Sequence, residues 1–553
     1  MEAPQGIRAH LTRDLGRTLR GSWDTVGDQD IALRIVWRRM LVSLAMLHAS
    51  AQERRQYGIL GWTSSYVFGD QDLEAVSGLL ADLLEGLPPP AKTTVSAVCY
   101  ALPWPALRTV VGEIMYGGRV SNDMDLRCLA ALAKRFVSAD LVHSTEADRS
   151  APLEAQRREA VLSMRAADEE YAYTVPDAPS YVIPTLGTVP NVDDAISQFL
   201  DVLPPDNSPE LLGFSRVATL ASDLRETGSI FEAIRSLTLA GRDGVVTTTT
   251  DLPDVAWDTE AVMASIGEWA ALKSASHKIS EALPKLGMLE QVGAGLDAKD
   301  TRTGQMNLVN VFLFHEVEKY HMLLQLIHDS LLLLKISLEG TVLIGPEMEL
   351  LGRCITANLV PPTWQCAYPS SKPLASWIND LNSRVSFVSA WLRSGSEPIS
   401  MSLPSFIAPG GLLVAVLQRQ SQRVRVPLDD LMYRQEITPF SDPNGVQEGS
   451  QRGVFVHGLT LVGARLMPRA RALQPMRPGQ LACKLPVLEC VIVNLGQPMR
   501  GVYECPLYRA MHIDWARSDA RGTNLVTMLL LPGGGAVDMW ILNGVAVFCE
   551  FES

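Results

Sequence analysis

Between Asn310 and Leu338 the apolar residues Leu313, Val317, Tyr320, Leu324, Ile327, Leu331, Leu334 and Leu338 recur at alternating spacings of four and three. That is the period of one face of an α-helix. The stretch predicts one long helix of roughly 40 Å at about 1.5 Å per residue. Leu323, Leu326, Leu332 and Leu333 widen the stripe beyond a two-strand seam, so the helix is expected to pack inside a bundle rather than form a free coiled-coil dimer.

The grammar differs on either side of this helix. Toward the N-terminus, Ile31 to Gln56 carries Ile35, Met40, Leu44 and Leu47 at helical spacing, and Gly58 and Gly61 mark its end. Asp70 and Asp72 offer an N-cap and a negative first turn for a helix from Leu73 to Leu84, and a third helix runs from Ala106 into Met115 after Pro105. From about 138 to 300 the pattern is irregular, with Pro176, Pro184, Pro204-Pro205 and Pro209, and with Thr247 to Thr250 reading as loop. After Pro398, one amphipathic helix from Leu412 to Arg423 precedes short apolar or alternating runs at Val454 to Leu461, Val487 to Val493, Leu525 to Leu531 and Gly544 to Phe548. Such strands in series predict a sheet closed or folded on itself, and with the helices an α+β protein.

A sequence of 553 residues holds roughly two to four domains. Its net charge of -13 argues against a phosphate-tracking surface, so nucleic acid is not an expected partner. The start, Met-Glu-Ala-Pro-Gln-Gly, has no signal core, and no uninterrupted apolar run reaches the roughly 18 residues of a membrane span. A soluble, intracellular protein without a membrane partner is the expectation. The eight cysteines form no CxxC pair and read as buried apolar groups in a reducing compartment, which speaks against a cysteine zinc site.

Catalytic patterns are missing in the same way. No phosphate loop of the form GxxxxGK followed by Ser or Thr occurs, and Gly533-Gly534-Gly535 reads as a hairpin turn. His315-Glu316 with His321 fails as a zincin helix, because residues six apart turn about 240° around the axis. His321 and His328 share a face but read as polar residues flanking a packed helix. No GxSxG elbow is present. Arg419, Arg423 and Arg425 read as a solvated face, and Trp62, Trp104, Trp364, Trp377, Trp391 and Trp540 as packing anchors.

Specific words in the sequence carry more. Tyr368-Pro369-Ser370-Ser371-Lys372-Pro373-Leu374-Ala375-Ser376-Trp377-Ile378-Asn379-Asp380-Leu381 resembles the YPSLKPLxSWxxDL signature of the C-terminal region of dynein heavy chains. Gln52-Glu53-Arg54-Arg55-Gln56-Tyr57-Gly58 with Leu60-Gly61-Trp62 is similar to the family's QERRxFGxLGW, and Gly112-Glu113-Ile114-Met115-Tyr116-Gly117-Gly118-Arg119-Val120 to its GExxYGGRV. Gly453 to Arg465 and Tyr503-Glu504-Cys505-Pro506-Leu507-Tyr508 match its GVxVxGLxLxGAR and YECPxY strands. The likeness departs at Ser121-Asn122-Asp123-Met124-Asp125, where the family has TDDWD, and at a longer insert before Leu102-Pro103-Trp104.

The resemblance implies an organisation: residues 1–25 the end of the last large AAA+ subdomain, 26–165 the helical lid of the sixth module, 166–400 the helical part of the C-terminal domain, and 401–553 a terminal β-barrel. Gly6 to Leu11 looks like the family's GLRANL, which would place tail, linker, nucleotide-binding modules and stalk upstream. The chain would then not be an enzyme by itself and would bind no cofactor, the ATP and Mg belonging to those modules. Its partners would be the rest of the motor ring and, through the complex, intermediate and light chains and microtubules. Its place would be the cytoskeleton, favouring a ciliary or flagellar axoneme, and its work minus-end-directed movement. A free-standing interaction protein reusing the same domain is the alternative. Arg54, Arg55 and Arg119 are expected to touch a neighbouring module or to pair inside the lid. Trp62, Tyr116, Gly117, Gly118, Tyr368, Pro369, Lys372, Pro373, Trp377, Tyr503, Cys505 and Pro506 are expected as structural or interface residues.

Overall fold

The computed structural model describes residues 6–26, 30–64, 66–88, 94–139, 272–281, 283–284, 307–343, 345–370, 372–467, 472–477, 480–494, 502–510, 525–533 and 537–550, with scattered positions between 196 and 230. Pro176, Pro184, Pro204-Pro205, Pro209, the Thr247 to Thr250 run and Gly534-Gly535 of the expected hairpin turn lie outside the described residues.

The architecture is α+β. The first unit is helical: α1 (Ile7–Arg13), α2 (Ile31–Glu53), α3 (Asp70–Glu85), α4 (Val95–Ala101), α5 (Trp104–Thr109) and α6 (Asp123–Phe136). α2 is the axis, apolar around most of its circumference and buried almost throughout, as a helix covered on all sides must be. The expected third helix begins at α5 and continues as a π-helical turn to Met115. One expectation is corrected at α3. Asp70 is its first residue, Gly69 is the N-cap, and Asp72 reaches back to accept the Gly69 N–H at 2.8 Å, so the carboxylate serves an orphan donor from inside the first turn.

The predicted long helix is α7 (Leu308–Leu338), 31 residues starting at the Asn307 cap. It packs with α8 (Pro346–Thr356), α9 (Pro362–Ala367), α10 (Leu374–Ser394) and α11 (Pro409–Val424). By length and composition α7 is also able to cross a membrane, although its charges interrupt the apolar run; a third of its most apolar 18-residue window, 33%, is buried in the fold. Its buried face includes one charge. Glu316, 0% exposed, accepts the N–H groups of Ile407 and Ala408 ahead of α11 and pairs with Lys319 at 3.0 Å. The carboxylate thus supplies acceptors where a helix start leaves N–H groups unpaired.

Eleven strands are described. β1 (Ser400–Ser402), β3 (Gly453–His457), β8 (Leu488–Asn494) and β2 (Leu431–Ile437) form one sheet in that order. β10 (Leu525–Pro532), β9 (Val502–Ala510), β11 (Ala546–Glu550), β4 (Thr460–Val462) and β7 (Ala482–Lys484) form a second, and β5 (Ala464–Met467) pairs with β6 (Ala472–Pro475). The run expected from Val454 to Leu461 is two strands in different sheets. Gly458, at φ 86 with Pro404 2.9 Å from where a Cβ would stand, turns the backbone between them.

The middle of the second sheet, β9, β11 and β4, is buried on both faces. Val462, Tyr508, Ala546 and Phe548 point into the core of the helical unit, whereas Leu461, Leu507, Val547 and Cys549 point into the core built on α7 to α11. Alternation along a strand sends neighbours to opposite faces. The near-continuous apolar run at 545–549 follows from having a core on each side.

Candidate functional site

α2 ends at Glu53, and a 3-10 segment, Arg54–Leu60, turns the backbone away from it. A Cβ on Gly61 would stand 1.8 Å from the Arg54 carbonyl oxygen, so only glycine lets the turn close. This holds Arg54, 0% exposed, against the β-rich half of the molecule. Its Nη1 donates to the Leu212 carbonyl at 2.6 Å, and Nη1 and Nη2 donate to the Leu542 carbonyl at 3.1 and 3.2 Å. The guanidinium lies 4.0 Å from the Phe214 ring centroid and 5.8 Å from that of Trp62.

Leu542 ends the short helix α12 (Val537–Leu542), whose last carbonyls have no partner within the helix. Arg54 therefore closes a helix that follows it by 488 positions. Burial lowers its pKa from the ordinary value, opposed by nearby Cys128 and Asp125; a guanidinium stays charged through such shifts.

Other contacts cross the same seam. Gly544 presses on Leu60, with a φ of 63 and a would-be Cβ only 2.5 Å from the Leu60 oxygen. Arg127 of α6 pairs with Glu504 at 2.8 Å, and Lys134 with Asp538 of α12 at 3.0 Å. A small cleft beside Arg54 is lined by Asp125, Cys128, Tyr503, Pro506 and Tyr508 among others. Asp125 accepts from the Thr63 N–H at 2.9 Å and from its hydroxyl. Burial nevertheless raises its pKa above the ordinary 3.8, outweighing the Thr63 bonds.

A second cluster gathers the Tyr368 signature. Asp380 of α10 accepts from Tyr368 Oη at 2.6 Å, Lys372 Nζ at 2.9 Å and Arg384 Nε at 2.7 Å. Burial pushes its pKa up, but the Arg384 charge and the Tyr368 and Lys372 bonds together bring it below 3.8. Trp377 donates to the Tyr368 carbonyl at 3.2 Å and stacks on Trp364, with centroids 6.0 Å apart.

The remaining expected residues divide by burial and contact. Tyr503 donates to the Val545 carbonyl at 2.6 Å, and Cys505 and Pro506 are buried beside it. Trp62 donates to the Ala51 carbonyl at 2.9 Å, and Tyr116 meets His48 at 2.9 Å. Gly117 is pressed by the Gly112 oxygen at 2.6 Å from a would-be Cβ, whereas Gly118 has open space. Arg119 pairs with Asp72 at 2.8 Å inside the helical unit. Arg55, Pro369 and Pro373 are exposed. Arg54 donates to two carbonyls, that of Leu212 in the core of the helical unit and that of Leu542 at the end of α12. Leu212, Phe214, Leu542 and Gly544 were missed, and for the two carbonyl acceptors of the seam no sequence signal exists, since every residue has a C=O.

The arrangement holds two units together; it presents no activated nucleophile among the described residues. Two family models match. That of the dynein heavy chain AAA lid domain covers residues 37–218, and that of the C-terminal domain of the dynein heavy chain covers residues 226–549. The human Dynein axonemal heavy chain 6 is 28% identical over 573 aligned positions, covering 100% of this chain and 12% of that protein. The human Dynein axonemal heavy chain 2 is 27% identical, with 100% and 11% covered. The Dynein-1-beta heavy chain of the flagellar inner arm I1 complex of Chlamydomonas reinhardtii is 25% identical, again with 100% and 11% covered. The chain thus spans about a ninth of the length of these relatives.

Proposed function

The chain belongs to the dynein heavy chain family, and from that premise we propose that it works as the non-hydrolysing C-terminal part of a dynein motor subunit. In this reading it transmits force between the last AAA+ lid and the C-terminal domain, contributing to minus-end-directed movement along microtubules in a cilium or flagellum. The supporting observation is the buried Arg54, which joins Leu212 and Leu542 across the seam. Rigid packed contacts of this kind are one physical route by which remote sites are coupled. The axonemal relatives support the cellular setting. ATP and Mg would be held by other modules of the motor, and intermediate chains, light chains and microtubules would be reached through the complex.

Two finer points go with this reading. The expected lid boundary at 165 is moved in this reading to the 218–226 interval, supported by the extent of the two family models and by Leu212 and Phe214 in the lid core, while the β-rich part keeps its start near 401. We read the two larger sheets as staves of one barrel: the Leu530 N–H of β10 donates to the Gln435 side chain of β2, which brings the two sheet edges together. The test is a motor assembled with Arg54→Ala in its heavy chain. ATP turnover should persist while microtubule gliding slows severalfold; unchanged gliding would remove the coupling role. The purified chain alone should turn over no ATP.

A further inference from the structure

Asp14 opens the π-helical turn after α1, His48 lies within α2, and Asp70 is the first residue of α3. One ligand-type atom from each lies within 4.8 Å of the other two. Asp14 and His48 are 0% exposed, while the Asp70 side chain is 47% exposed. Asp14 Oδ1 takes both the Nε and Nη2 of Arg13, at 2.9 and 2.8 Å, but Oδ2 receives no hydrogen bond from the described residues although Asp14 is fully buried. A buried carboxylate oxygen without a donor from the surrounding protein calls for an outside partner, and a cation is one. The Arg13 guanidinium also lies 3.4 Å from Asp70 and 3.0 Å from Gln52, covering the cluster from its solvent side.

We propose that Asp14, His48 and Asp70 form a divalent-cation site of the zinc class, with Arg13 as its built-in competitor. One imidazole and two carboxylates make a borderline donor set that favours zinc over magnesium. Bonds of about 2.1 Å place tetrahedral ligands about 3.4 Å apart, so the cluster must contract, and half-exposed Asp70 is the ligand free to move. His48 Nδ1 already meets Tyr116 Oη at 2.9 Å, the outer hydrogen bond that orients a ligating histidine. Its Nε2 faces the Gln52 amide at 2.9 Å. Entry of the ion sends Arg13, 24% exposed, out to solvent and turns Gln52 aside. The filled site pins α1, α2 and α3 to one another; the guanidinium does so more weakly when the ion is absent.

The test uses the full chain, stripped of metal, with Cys366→Ser and Cys483→Ser to remove its accessible thiols. Zinc is titrated against a chromophoric chelator and cobalt serves as the spectroscopic probe. One equivalent should bind, with cobalt ligand-field bands and no thiolate charge transfer. Asp70→Asn should weaken binding at least about tenfold, and Arg13→Gln should tighten it by about tenfold. The opposite signs separate a competitor from a scaffold residue, and Asp70→Asn alters an exposed position that the fold tolerates. No retained equivalent, thiolate bands, or one affinity shared by all three proteins would overturn the site.

Discussion

Arg54 and Arg384 are both buried arginines set against aromatic rings, and they serve different purposes. Arg384 meets a carboxylate within its own helix, four positions away, and Asp380 gathers Tyr368 and Lys372 as well. Arg54 donates to backbone carbonyls, from segments 158 and 488 positions away. The first cluster shapes one unit locally. The second ties two units together, and because the Leu212 acceptor is a buried backbone group, its loss is not made good by solvent once the arginine is removed.

The sharpest way to break this contrast is Arg54→Ala. It takes their donor from the buried Leu212 carbonyl and the half-buried Leu542 carbonyl and empties a large buried volume, at an expected cost of about 3–4 kcal/mol. In denaturant, the unfolding midpoints of the two units should move further apart than in wild type. Gly544→Ala follows, at about 1–3 kcal/mol, since it adds a Cβ against the Leu60 oxygen at a positive φ. Its effect should again be felt in both units. Tyr368→Phe should cost about 1.5 kcal/mol, the worth of a hydrogen bond to a charged acceptor, and should leave the helical unit's hydrogen exchange untouched.

The smallest effect separates the regions by sign. Asp380 has a folded pKa below its ordinary 3.8, so its contribution is complete above that value and is lost as pH falls through the lower folded one. Asp125 has a folded pKa above 3.8, so its contribution is complete below that value and is lost as pH rises through the folded one. Stability curves between pH 6 and 3, compared for Asp380→Asn and Asp125→Asn, should therefore diverge from wild type in opposite directions. Parallel curves would mean the two carboxylates share one environment.

Much of the local structure was legible because periodicity reports burial. The four-and-three stripe of α7, the helix of α2 and the strands β8, β10 and β11 all follow from it. What escaped has physical reasons. β3 and β4 read as one run because a single glycine, Gly458, redirects the backbone without interrupting the apolar pattern. α12 is only six residues long, too short for a helical period to show. Glu316 drew notice for its histidine neighbours, whereas its work is to receive the N–H groups of Ile407 and Ala408. At the candidate site, Arg54 stood out by its sequence setting, but its partners did not, since a carbonyl acceptor leaves no trace in residue identity.

Hydrogen exchange of the intact protein, with and without Arg54→Ala, reads the coupling of the two units residue by residue. If the arginine couples the two units, protection should fall by similar factors at residues 54–62 and at 537–550. Loss confined to 54–62, with 537–550 as protected as in wild type, would contradict it.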